Sequence, residues 1–517
     1  MRVNRVAKGR PARVILFILG LALIVTGLVQ LRAAQGGVTL ARAAVDGTPL
    51  TLYRAGAMDA GPRPVVVISH GFAGSQQLMH SFALTLARRG YLAVTFDYYG
   101  HGRHPEALRG DITTVEGATQ MLVRQTEGIV DYALAQPDAS GELALLGHSM
   151  ASDIVVRYAN EDPRVDATVA VSMFSTAVTA AQPPNLLVIV GGWEGFLRDE
   201  ALRVLGLVTD QPRAGLTVGD PAAGTGRRVA IAEGVEHVGV LYAGEAQREA
   251  AAWLDAVFER DGGEAIARRG PAIIALLLGL AVLARPLAAH LPRLADPPRG
   301  AGLAWRQLLP AALVPAIATP LLLVAFPADF MGVLVGGYLA VHFLVYGLLS
   351  AAVLWWLARR RPGEHPAPAP VPWRSFVATT VVVTVYLAGV FALVLDSYVT
   401  SYAITATRAP LVLATGVGTL AYFLADEWMA HGEPTARGGH FFTRLCFLLS
   451  LGIAVALSFE DLFFLLIIAA VIVIYFLVYG LFSRWVYQAT GHPAVGAIAN
   501  AVSFAWALGA VFPFLGA

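Results

Sequence analysis

Gly147-His148-Ser149-Met150-Ala151 stands between the apolar run 143–146 and a helix-like stretch over 153–160. That setting puts a serine on a sharp strand-to-helix turn with its hydroxyl raised above a sheet edge. The small residues two before and two after it let strand and helix pass closely; Ala151, where glycine is usual, costs one methyl of clearance. A serine hydroxyl becomes a useful nucleophile when a base takes its proton, an acid orients the base, and N–H donors face the developing oxyanion. His237 is the candidate base: it follows a strand-like run and precedes a helical one, within Glu233-Gly234-Val235-Glu236-His237-Val238-Gly239. Glu194, reached from residues 186–190 through Gly191-Gly192-Trp193, is the candidate acid, with Asp199 as its rival. The backbone N–H groups of Phe72, in His70-Gly71-Phe72, and of Met150 are the candidate oxyanion donors. Each residue also has a plainer reading: a surface loop histidine, a helix N-terminal carboxylate, and glycines that close a tight turn. Asp153 is expected to favour a helix N-terminus, and His101 to be a loop histidine.

The elements that would position these residues lie within 38–260. Residues 38–45, the pair Asp46-Gly47 and residues 49–54 read as a hairpin. Short apolar runs follow at 65–68, 92–96, 143–146, 167–171, 186–190 and 229–231. Helical patterns at 76–89, 115–135, 153–160, 200–205 and 245–258 alternate with them. Continuous apolar strands alternating with helices predict a mostly parallel sheet covered on both faces. Sites in such sheets collect at the carboxyl ends of the strands, where Ser149, Glu194, His237 and Phe72 all fall.

The rest of the chain belongs to a different solvent. With 517 residues, 56% hydrophobic content and a mean hydropathy of +0.62, part of the protein must lie in lipid. Residues 14–31 form an apolar run after Arg2, Arg5, Lys8, Arg10 and Arg13, read as an anchor helix over 14–34 behind a basic cytoplasmic stretch over 1–13. A cleaved signal peptide is the competing reading; the run is long for one, and Arg32 sits awkwardly before Ala33-Ala34. Eight further spans are expected across 271–517, at 272–289, 308–326, 331–357, 376–395, 411–424, 441–457, 462–481 and 495–512. With the N-terminus inside, the arginine-bearing loops (Arg293 to Arg306, Arg359 to Arg374, Arg437 to Arg444, and Arg484) become cytoplasmic. The loops at 327–330, 396–408 and 458–461 are nearly free of arginine and fall on the other side. Alternation then makes residues 38–260 extracytoplasmic, with Arg268 and Arg269 on the wrong side. The proline-rich stretch 361–373 reads as a stiff cytoplasmic linker.

A formal net charge of +1 gives no basic excess for nucleic acid, and a single cysteine, Cys446, excludes an internal disulfide and metal–cysteine clusters. No cofactor or metal is called for. Lys8 is the only lysine among 37 basic residues, which points to a GC-rich bacterial source. His342, near mid-span with Tyr338 one turn before it, is either functional or a neutral histidine bonded to a neighbouring helix. Gly336, Gly337, Gly416 and Gly418 are read as allowing close helix packing.

On the residues His70-Gly71-Phe72, Asp97-Tyr98-Tyr99-Gly100-His101-Gly102, Gly147-His148-Ser149-Met150-Ala151, Glu194 and His237, the region 38–260 resembles the α/β-hydrolase fold family. The resemblance implies an eight-stranded sheet with helices on both faces and a Ser149–His237–Glu194 triad. It also implies hydrolysis of an ester, thioester or amide through an acyl-enzyme. The short interval 172–185, where many members insert a lid, implies an open pocket or one covered by the membrane part. Asp426, Glu427, His431, His440, His492 and Asn500 are faintly similar in type to positions of the CPBP intramembrane protease family, whose spacing they do not share. The expectation is a multi-pass bacterial cytoplasmic-membrane protein with an extracytoplasmic serine hydrolase domain. Its partners would be the bilayer and a small-molecule or lipid-like acyl substrate. The alternative is a transporter or lipid-handling membrane protein with an accessory hydrolase-like domain.

Overall fold

The computed structural model describes residues 10–56, 61–112, 114–326, 330–333, 335–360 and 370–516. Arg2, Arg5, Lys8, the loop 327–329 and the linker stretch 361–369 lie outside the described residues. The chain forms two compact bodies. One comprises Thr26–Leu276, Leu395–Ser401 and Pro513–Ala517; the other comprises Met1–Val25, Leu277–Val394 and Tyr402–Phe512.

The first body is built on one sheet with the order β1-β2-β4-β3-β5-β6-β7-β9-β8. Strands β1 (Val38–Val45) and β2 (Thr48–Ala55) form an antiparallel hairpin. Asp46 and Gly47, both at positive φ, make its turn, which matches the right-handed twist of the strands. Strands β3 (Arg63–Ser69), β4 (Leu92–Phe96), β5 (Ala139–His148), β6 (Val165–Val171), β7 (Leu186–Gly191) and β9 (Arg227–Ala232) run parallel to one another, and β2 joins β4 antiparallel. The two-residue β8 (Thr217–Val218) closes the far edge antiparallel to β9. The sheet therefore has nine strands where the resemblance implies eight.

Side-chain alternation divides the core. Val66, Ile68, Ala144, Leu146 and Val169 face α2 (His80–Arg88) and α6 (Gly244–Val257). Val65, Val67, Leu143 and Leu145 face α3 (Gln120–Leu134) and α4 (Met150–Glu161). A further helix, α5 (Gly195–Leu205), packs through Ala201, Val204 and Leu205 on Val188 and Val190. Between β3 and β5 the order of winding reverses, since β4 lies on one side of β3 and β5 on the other. Such a reversal opens a crevice at the carboxyl ends of the strands.

Among the described residues, nine helices are long and apolar enough to cross a membrane. They are α1 (Arg10–Gln35), α7 (Gly270–Ala288), α8 (Trp305–Leu323), α9 (Gly336–Arg359), α10 (Trp373–Tyr398), α11 (Ala409–Ala430), α12 (Gly439–Leu457), α13 (Phe464–Thr490) and α14 (Pro493–Val511). Close packing at Gly418 is literal: a Cβ there would fall 2.1 Å from the Ala340 carbonyl oxygen. His342 meets the Ser450 hydroxyl at 3.0 Å, so it is bonded to a neighbouring helix. Arg269 is buried in the first body, where it donates to the Tyr398 carbonyl at 3.1 Å, so its charge is not that of a free loop.

Candidate active site

β5 delivers Ser149 into the crevice. The residue sits at φ +55° and ψ −121°, ahead of α4, a conformation that costs a non-glycine residue of order 1–3 kcal/mol and that the flanking strand and helix enforce. Its N–H donates to the Val171 carbonyl at 2.8 Å, tying the turn to the next strand. Across the crevice, at the end of β3, the chain passes so close that a Cβ on Gly71 would lie 2.9 Å from the Ser149 Cβ. Phe72 follows at once, so its backbone runs beside the nucleophile candidate. Met150 opens α4, where N–H groups lack intrahelical acceptors.

The other two side chains arrive on neighbouring strand ends. His237 Nε2 lies 2.8 Å from the Ser149 hydroxyl oxygen. His237 Nδ1 lies 2.5 Å from Glu194 Oε1. Glu194 heads α5 just beyond β7, while its rival Asp199 is exposed on that helix and is not the partner of His237. The loop holding His237 is pinned by its neighbour: Glu236 accepts the N–H groups of Val238 and Gly239 at 2.7 and 2.8 Å. The side chain of Glu194 is 6% exposed and that of His237 is 41% exposed, so the acid is shielded and the imidazole faces the opening.

Glu194 has more donors than the sequence indicates. Its second oxygen accepts the Gly191 N–H at 2.6 Å and the Ser172 hydroxyl at 2.8 Å. Burial alone would push this carboxyl up, but hydrogen bonds from His237, Gly191 and Ser172 hold it below the usual carboxylate value. Ser172 was legible only as a serine just past a strand, at the end of β6. His148, which the motif shows only as the residue before the serine, braces the base: its Nε2 donates to the His237 carbonyl at 2.9 Å, and burial lowers its pKa to about 3, which favours the neutral ring.

Two neighbouring residues have structural places. Asp153 lies in the first turn of α4, as expected, but it is tied to Arg157 at 2.7 Å and to the Ser175 hydroxyl at 2.6 Å. His101 Nδ1 donates to the Tyr99 carbonyl at 2.8 Å.

A second polar cluster lies in the helical body. Glu427, His431 and His440 bring ligand-type atoms within 4.8 Å of one another. Arg444 donates to Glu427 Oε1 at 2.9 Å and stands 3.6 Å from Asp426, so a guanidinium already supplies positive charge between the two carboxylates. His492 instead caps α14 by accepting the Ala494 N–H.

Residues 60–200 match the Hydrolase_4 family, described as serine aminopeptidase, S33. No curated protein matches the chain. Among solved structures, the chain is similar to TT1662 from Thermus thermophilus, at 17% identity over 43% of this chain and 99% of that one, with a TM-score of 0.32. Hypothetical protein PA2218 from Pseudomonas aeruginosa matches at 14% identity over 40% and 89%, with a TM-score of 0.31. A membrane phospholipase A described as a bacterial virulence factor matches at 15% over 50% and 97%, with a TM-score of 0.30.

Proposed function

Starting from a chain that carries an α/β-hydrolase domain, we propose that it is a membrane-anchored serine hydrolase acting on an apolar acyl ester, thioester or amide. The observation that carries the reading is the unbroken relay from Glu194 Oε1 to His237 Nδ1 at 2.5 Å and from His237 Nε2 to Ser149 at 2.8 Å. In this mechanism His237 takes the Ser149 proton as the hydroxyl oxygen attacks the substrate carbonyl. The Phe72 and Met150 N–H groups receive the oxyanion, and Glu194 stabilises the imidazolium. His237 then protonates the leaving group as the tetrahedral intermediate collapses to an acyl-enzyme. Water, deprotonated by the same imidazole, releases the acid and restores the serine.

An apolar substrate is supported by the loops that carry the site. Trp193 and Phe196 flank Glu194 and are 72% and 69% exposed; Val238, next to His237, is 48% exposed. Phe174, two residues beyond Ser172, stacks on Phe196 with ring centroids 5.7 Å apart. Exposed apolar groups gathered at a site are most simply explained by an apolar ligand.

The count of spans is supported by the make-up of the first body, and the extracytoplasmic side follows from the arginine bias of the loops. Counting spans from a cytoplasmic N-terminus puts residues 395–401 and 513–517 on the same side as residues 38–260, and all three belong to that body. The transporter reading has less support, because Phe343, Tyr422, Phe447 and Phe504 make ring contacts in the interior of the helical body.

The test is fluorophosphonate labelling of intact membranes together with turnover of a short-chain nitrophenyl ester. Wild type should label and turn over from the extracytoplasmic side, and Ser149→Ala should do neither. Labelling that persists in Ser149→Ala would refute the assignment.

A further inference from the structure

The oxyanion side of the crevice is made of two loops, residues 70–75 after β3 and residues 97–108 after β4. Asp97 joins them, accepting the Gln76 N–H at 2.8 Å and the Arg103 N–H at 3.0 Å. His70 Nε2 accepts the Tyr98 N–H at 3.2 Å, and the His101 ring stands edge-on to Phe72 at 5.8 Å. Whatever holds these two loops therefore sets the backbone around Phe72.

Each loop is held by a stretch of chain hundreds of residues away. The Ser75 hydroxyl oxygen accepts the Ser401 N–H at 2.8 Å and is 2.9 Å from the Thr400 hydroxyl. Arg103 pairs with Asp396 at 2.6 Å. On the other flank, residues 514–516 run alongside the second loop as a short backbone ladder. The Phe514 N–H donates to Gly100 at 2.8 Å, the Leu108 N–H to Phe514 at 2.9 Å, and the Gly516 N–H to Leu108 at 2.8 Å. The approach is close: Gly100 is at φ +72°, and a Cβ there would fall 2.4 Å from the Phe514 carbonyl oxygen.

We propose that residues 395–401 and 513–516 are positioning elements for the oxyanion hole, so that turnover at Ser149 depends on two segments encoded within the helical half of the chain. The inference rests on the serine-hydrolase reading above. Its physical basis is that an oxyanion donor contributes only when preorganised: removing one costs about 10²–10³ in kcat, and displacing one costs part of that. The hydrolase region cut out at 38–260 would keep its nucleophile, base and acid and lose both clasps.

The experiment uses the full chain in lipid nanodiscs, with rates normalised to active sites titrated by fluorophosphonate. The variants are Phe514→Pro, which deletes the N–H given to Gly100, Asp396→Arg, and the charge swap Arg103→Asp/Asp396→Arg. We expect Phe514→Pro and Asp396→Arg each to lower kcat about 10-fold with KM within about twofold. Affinity for a trifluoromethyl ketone transition-state analogue should fall by the same factor, and the charge swap should recover most of the Asp396→Arg loss. If both single variants keep wild-type kcat and ketone affinity while Ser149→Ala is dead, this inference is overturned and the hydrolase reading stands. A fall in titratable sites alone, with kcat per site unchanged, would also overturn it, because that is loss of fold. If wild type shows no Ser149-dependent turnover, the hydrolase reading fails first and takes this one with it.

Discussion

Among the described residues, one cluster of carboxylate and histidine stands at the strand ends of the α/β body and another lies inside the helical body. In the first, Glu194 is buried behind His237, the imidazole is 41% exposed, and its outer nitrogen points at a hydroxyl. In the second, Glu427 is 0% exposed, Arg444 is 7% exposed, and His431, just past the end of α11, donates to the Glu427 backbone carbonyl. The residue types are nearly the same and the outcomes differ. Under the proposed function, the first cluster reacts because its polar series ends at an accessible atom, whereas the second closes on an internal counter-charge.

His237→Ala should test this contrast with the largest effect, lowering ester turnover by at least about 10⁴-fold with little change in thermal unfolding. A His237→Ala protein that retains turnover would erase the contrast. Glu194→Gln comes next, with a loss approaching about 10⁴-fold, because the wrong imidazole tautomer would face Ser149. Arg444→Met should do the reverse: breaking a buried pair from one side costs about 3–5 kcal/mol, read as a lower unfolding midpoint, with rate per titrated site unchanged. A drop in rate per site with normal stability would make the second cluster part of the reaction. Ser172→Ala removes one donor to Glu194 and should cost about 1 kcal/mol, read as a several-fold lower kcat.

The smallest effect is a pH dependence. Because the folded Glu194 carboxyl titrates below its ordinary value of 4.5, its contribution to stability is full above that value and is lost as pH falls through the lower folded value. The difference in urea midpoint between wild type and Glu194→Gln should therefore be constant near neutrality and shrink in acid. A difference that grew in acid would mean that the carboxylate is not held by its donors.

Much of the α/β body was legible because local signals agree there. Apolar runs set the strands, Asp46-Gly47 set the hairpin, and Ser149, Glu194 and His237 each fall just past a run. The choice of Glu194 over Asp199 was left open by the sequence, since both lie near the same helix start and only packing decides which one turns inward. Strand β8 was missed because two residues, Thr217 and Val218, carry no period. The Gly191 donor and the grip on residues 97–108 by 514–516 were invisible for another reason: their donors are backbone N–H groups, which leave no residue-type signature. The resting place of residues 395–401 could not be read either, since hydropathy marks them only as the connection between two apolar helices.

The left-handed backbone at Ser149 carries one more consequence. A glycine at that position would meet no steric penalty there, so Ser149→Gly is expected to melt above wild type while hydrolysing nothing. Durability and turnover thus pull against each other at a single α-carbon, and breeding this protein for heat resistance alone would favour its own inactivation.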